Sequence, residues 1–133
     1  MDKNFIVGQS NELIVEGTMF DLHNDFNLEQ VRYDGANLLV ELSSVANKQR
    51  ASLRFDEIKF VLFAKKTNFD NYWGIEEFGY KSPDDFDDDW LLSEQQAKLG
   101  DHFFIRFIGD DYLRIYSNRA LFEISNKNLS ESN

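Results

Sequence analysis

Cysteine is absent from this chain of 133 residues, and proline occurs once, at Pro83. Without cysteine there is no disulfide, no thiolate nucleophile and no cysteine-ligated zinc, which fits a reducing compartment, so a cytoplasmic location is expected. Long apolar runs are missing too. No stretch approaches the roughly 18 residues that cross a bilayer as a helix, and the opening MDKNFIVGQSNELIVEG lacks the apolar core of a signal peptide. Positive charge is scarce: 14 Lys and Arg face 24 Asp and Glu, for a net charge of −10. Apart from Lys65 and Lys66 the cations stand singly, so no basic stripe is available for a phosphate backbone. Nucleic acids and anionic membrane surfaces are disfavoured as partners by the same repulsion.

Catalytic signatures are equally thin. GxSxG, GxxxxGK and GxGxxG are all absent. His23-Asn24-Asp25 places an imidazole two residues from a carboxylate, but it has no HExxH-like neighbour and reads as a turn between strands. His102, after Gly100-Asp101 and at a strand entrance, reads the same way. Asp85-x-Asp87-x-Asp89 satisfies the first three ligand positions of a calcium loop, yet Trp90 stands where its glycine is needed and Gln96 where its bidentate glutamate is needed. Abundant acids do not make a glycosidase, which requires two carboxylates at a set separation. No catalytic residue, metal ligand or cofactor is assigned, and a non-enzyme is expected.

What is present is enough for one core. Hydrophobic residues make up 42%, including 13 Phe, 5 Tyr and 2 Trp, which excludes a disordered polyelectrolyte. A single β-rich domain over residues 1–126 is expected. Residues 127–133 read as a flexible tail, and the Asn128-Leu129-Ser130 sequon carries little weight there.

The dominant period is two: Leu38, Val40, Leu42, then Leu53, Phe55, then Ile58, Phe60, Leu62. Asp34-Gly35 between two such runs predicts a hairpin turn, because glycine accepts positive φ. Residues 103–108, a turn at 109–111, residues 112–116, a turn at Ser117-Asn118 and residues 120–124 predict a three-strand meander. Residues 103–108 are apolar on both parities except at Arg106, which predicts a strand covered on both faces. The one helix expected follows Ser93-x-x-Gln96, a capping-box pattern closed by Gly100.

The strongest local signal lies in residues 68–90, NFDNYWGIEEFGYKSPDDFDDDW. Seven aromatics and eight carboxylates stand there against one cation, Lys81, so this segment carries −7 of the net −10. Neighbouring exposed carboxylates about 7 Å apart repel by roughly 0.6 kcal/mol per pair in water, a cost that a cationic partner would offset. Aromatics among acids can stack on an arginine while a carboxylate takes its hydrogen bonds. Asp84, Asp85, Asp87, Asp88 and Asp89 are therefore expected to steer a basic protein, with Trp73, Phe86 and Trp90 as anchors. The bland alternative has Phe86 and Trp90 pinning a solvated loop to the core.

The pattern His23-x-Asp25-x-x-Leu28-x-x-Val31-x-x-x-Gly35-x-x-Leu38-x-Val40-x-Leu42, followed by Leu53-x-Phe55-x-x-Ile58, resembles small bacterial immunity proteins of polymorphic toxin systems. It covers about 40 residues near the middle of the chain. The resemblance implies a single cytoplasmic domain, often acidic, that binds and blocks a basic toxin. It transfers no residue roles.

The expected fold is mainly β, or α+β, with antiparallel hairpins and a meander forming a sandwich or half-open barrel, plus one short helix. The expected function is non-enzymatic docking of a basic protein, as an immunity protein neutralising a toxin would do. Two other readings are a small-molecule domain with an aromatic-lined pocket and a homodimer paired through edge strands.

Overall fold

The computed structural model describes residues 1–64, 74–85, 90–109 and 111–128. Ten strands follow in chain order: β1 (Asp2–Lys3), β2 (Ile6–Val7), β3 (Glu12–Val15), β4 (Thr18–Asp21), β5 (Phe26–Tyr33), β6 (Leu38–Ser44), β7 (Gln49–Ala64), β8 (Ile75–Lys81), β9 (His102–Phe107) and β10 (Tyr112–Asn128). The main sheet runs β5-β6-β7-β10-β9-β8 and curls into an antiparallel half-barrel, with β1 added in parallel to β10. A second, three-stranded sheet has the order β2-β3-β4.

Period-two patterning becomes rows of apolar side chains across the strands. Leu38, Phe55 and Ala120 are in register on β6, β7 and β10, and Val40, Leu53 and Phe122 form the next row. All six are buried. The small sheet adds its own row, Val7, Leu13 and Phe20, to the same core. Phe103 sits at the centre, its ring 5.2 Å from that of Phe55 and 4.8 Å from that of Tyr80. The Asp34-Gly35 hairpin forms as expected: Gly35 has φ 97°, and the Asp34 carboxylate accepts the N–H groups of Ala36 and Asn37. Those two donors hold the Asp34 carboxyl below the ordinary carboxylate range, Asn37 contributing most.

Three expectations change. Ser117-Asn118 is not a turn: β10 runs on through a bulge to Asn128, whose backbone pairs with Gln49. Buried Ser117 donates its hydroxyl to the Arg119 carbonyl, and Glu57 on β7 takes φ 53° where the register shifts. Second, among the described residues there is no helix. Ser93 and Gln96 do make the capping contacts, Ser93 N–H to Gln96 Oε1 at 3.0 Å, but the segment completes one turn and breaks at Gly100, φ 95°. Glu94 instead ties it down, accepting from Lys3 Nζ at 2.8 Å, from Val7 N–H and from the Tyr80 hydroxyl. Third, beyond the bulge Val61 and Phe63 are the β7 residues in register with the core residues Ile115 and Leu113. Phe60 and Leu62 take the opposite face.

Candidate functional site

The second face of β8, β9 and β10 is built from residues that a half-buried sheet would leave in water. Two cross-strand rows define it: Gly79, Phe104, Arg114 and Leu62, then Glu77, Arg106 and Tyr112. Every residue of β9 is buried, as the double-sided apolar pattern of residues 103–108 requires. Lys81 and Arg114 are each 1% exposed. The charges are matched: Arg106 Nε lies 3.2 Å from Glu77 Oε1, and the Phe104 ring takes Lys81 and Arg106 at 5.6 and 5.5 Å from its centroid.

The chain leaves β8 at Lys81, and Leu92 exchanges both backbone hydrogen bonds with Tyr80 at 2.8 and 2.9 Å. Gly79 makes this return possible, since a Cβ there would lie 2.7 Å from Leu91 Cβ and 3.0 Å from the Leu92 carbonyl. On the outgoing limb, the Arg114 guanidinium donates to the carbonyls of Ser82, at 2.6 Å, and of Asp85. The Asp85 carboxylate sits 3.5 Å from Lys81 Nζ. Part of the acid run therefore finds its counter-charge inside the chain itself.

The residues expected to form a docking site divide accordingly. Asp85 is half-buried and turned to Lys81, whereas Asp84 is exposed. Trp90 is 85% exposed and takes a left-handed backbone, φ 62°, so it is not a core anchor of the loop. Trp73, Phe86, Asp87, Asp88 and Asp89 lie outside the described residues.

No family model, curated protein or solved structure matches this chain. Its chemistry is therefore read from the geometry alone.

Among the described residues, each histidine has structural partners. His23 Nδ1 lies 2.8 Å from the Ile75 carbonyl, closing the edge of β8, and the turn around it is organised by Asp21, which accepts from the N–H groups of His23 and Asn24. The Asp21 carboxyl is held low by these bonds against the opposing effect of burial. His102 stands at a strand entrance as expected, as the buried first residue of β9, stacked on Phe60 at 4.8 Å and beside Tyr116 at 5.8 Å. Burial, then the Arg114 charge, push its pKa below the ordinary imidazole value, and Asp101 opposes them. Burial, with Glu94 beside it, pushes the Tyr80 phenol up, so it stays a hydrogen-bond donor. Among the described residues no three His, Asp or Glu side chains group as a metal site. No described helix is long and apolar enough to cross a membrane.

Sequence reading missed that Lys81, Arg106 and Arg114 are buried beside Asp85 and Glu77. Arg106 was visible as the single charge in an apolar strand. Lys81 and Arg114 gave no signal, because isolated cations in alternating strands ordinarily point to solvent.

Proposed function

We propose that this is a non-enzymatic cytoplasmic binding protein that docks a basic protein, in the manner of an immunity protein that neutralises a toxin. One observation carries the reading: Trp90, the largest side chain type, stands 85% exposed at the end of the acid run, beside a loop whose two limbs are pinned to the sheet. An indole held out in water, on a backbone that itself disfavours a non-glycine residue, loses apolar burial that a partner surface would restore. Asp84, with Asp87, Asp88 and Asp89 in the same stretch of sequence, supplies the negative field that steers a cationic surface. Asp85 has a different role in this scheme, holding the loop to Lys81. Nucleic acid and anionic membranes are disfavoured as partners by the charge.

The test is capture from the source organism's lysate at low and high salt with three baits: wild type, Trp90→Ala, and a variant with Asp84, Asp87, Asp88 and Asp89 changed to Asn. The expected result is a basic protein held by wild type at low salt, released by salt, and lost from both variants. Capture of the same protein by all three baits would remove the acid-aromatic loop from the interface.

A further inference from the structure

The far end of the half-barrel holds a cleft that the docking reading does not use. Ile124 lies ten residues beyond Arg114 on β10, about 30 Å along an extended strand. There the β4–β5 turn, the β6–β7 turn and β10 enclose a volume of about 310 Å³. Its apolar walls are Phe20, Phe26, Val45 and Ile124, and its polar side includes Asp25 and Gln49. Val45 is 56% exposed and Ile124 37%, so the fold leaves this apolar surface open instead of closing it.

The mouth is rigid. The Val45 N–H donates to the Asp25 carbonyl at 2.9 Å, tying the two turns together, and the Lys48 N–H closes the second turn on the Ser44 carbonyl at 2.8 Å. Among the described lining residues Asp25 carries the one formal charge. Its Oδ2 accepts the Asp21 N–H at 3.2 Å, and Oδ1 has no protein donor among the described residues. Lys48, in the same turn, is exposed and does not line the cleft.

A carboxylate beside two aromatic rings and two aliphatic side chains selects for charge and shape together. An anion is repelled by Asp25, and a wholly apolar ligand would strip water from the carboxylate without replacing its hydrogen bonds. A cation on a short apolar stem meets both demands, with ring faces adding to the attraction. We propose that this cleft binds an organic cation of that kind, an ammonium or guanidinium group on a stem of a few carbons, its charge at Asp25 and its stem against Phe20, Val45 and Ile124. A free alkylamine and a lysine side chain both offer this group.

The experiment is an NMR titration of backbone amides with hexylammonium, N-acetyl-lysine amide and, as the uncharged control, hexanol. Saturable shifts confined to residues 24–26, 44–49 and 124 are expected with at least one cation. The tighter of the two identifies a free amine or a side chain as the natural source. Asp25→Asn, which keeps an acceptor for the Asp21 N–H, is expected to weaken binding about tenfold. Val45→Lys, at an exposed position, should place the chain's own cation in the cleft and abolish binding with melting temperature unchanged. The four-Asp loop variant should bind as wild type does, which separates this site from the docking loop. No saturation by either cation, equal binding of hexanol, or an unaltered affinity in Asp25→Asn would overturn the proposal.

Discussion

Arg114 does work at the residue scale that no neighbour can take over. It is wholly buried and its planar guanidinium spans two carbonyls three residues apart, at Ser82 and Asp85. An ammonium is a point donor on a flexible stem and cannot hold both with the same geometry. Arg114→Lys is expected to cost about 1–3 kcal/mol of stability in urea unfolding, and to open residues 82–85 to protease. An unchanged midpoint would mean that the two carbonyls do not depend on Arg114. His102 gives a second residue-scale prediction, with a definite sign. Its folded pKa is depressed, chiefly by burial and next by Arg114, so the folded state favours the neutral ring. The associated stability is complete above the unfolded pKa of about 6.5 and is lost as pH falls from there through the depressed folded value. Wild type should therefore lose stability between about pH 7.5 and pH 5.5, and His102→Phe, which keeps the stack on Phe60, should lose clearly less over that range. Equal losses would show that other groups set the slope.

At the scale of elements, edges and bulges decide what the strands can do. The outer edge of β8 is closed by side chains and a bridge rather than by a strand: the Phe78 N–H donates to Asn11 Oδ1, Asn11 Nδ2 donates to the Glu76 carbonyl, and Tyr80 pairs with Leu92. Those contacts occupy backbone groups of Glu76, Phe78 and Tyr80 that another chain would otherwise pair with. The Leu92 bridge depends on the missing side chain at Gly79. Gly79→Ala sets a Cβ against Leu91 and the Leu92 carbonyl, and is expected to cost about 1–3 kcal/mol, read as a drop in melting temperature. Hydrogen exchange at the Leu92 amide should rise with it, and an unshifted melting temperature would show that the returning limb is loosely held. The capping-box pattern at Ser93 was legible, but its outcome was not. Its hydrogen bonds form, yet Glu94 is drawn to Lys3, Val7 and Tyr80, contacts 14 to 91 residues away in sequence, and one turn is all that remains.

Across the whole molecule the charge is unevenly placed, with −7 of the net −10 in residues 68–90. Internal pairing relieves Asp85, through Lys81, and Glu77, through Arg106. Raising NaCl from about 0.02 to about 0.5 M shortens the screening length several-fold, so the melting temperature of wild type should rise by a few degrees. The variant with Asp84, Asp87, Asp88 and Asp89 changed to Asn should lose most of that rise. If both respond alike, the repulsion lies elsewhere on the surface. The ends of the chain also meet: β1 pairs with β10, and Asn4 both donates to the Phe122 carbonyl and accepts the Phe122 N–H. These pairings span more than a hundred positions, a topology that favours slow folding.

The amino-acid sequence by itself determined the β class, the Asp34-Gly35 hairpin, the double coverage of β9 and the clustering of acid with aromatic residues. Each follows from neighbours in the chain, through side-chain alternation, the freedom of glycine at positive φ, or composition. Tertiary structure alone decided that β10 runs on through a bulge at Ser117, that Phe60 and Leu62 leave the core face, that Trp90 stands in water, and that Lys81 and Arg114 lie buried beside Asp85 and the Ser82 carbonyl. Those outcomes depend on which strands become neighbours. A bulge is defined only against its partner strand, and a buried cation is tolerable only where distant carbonyls and a carboxylate arrive to meet it.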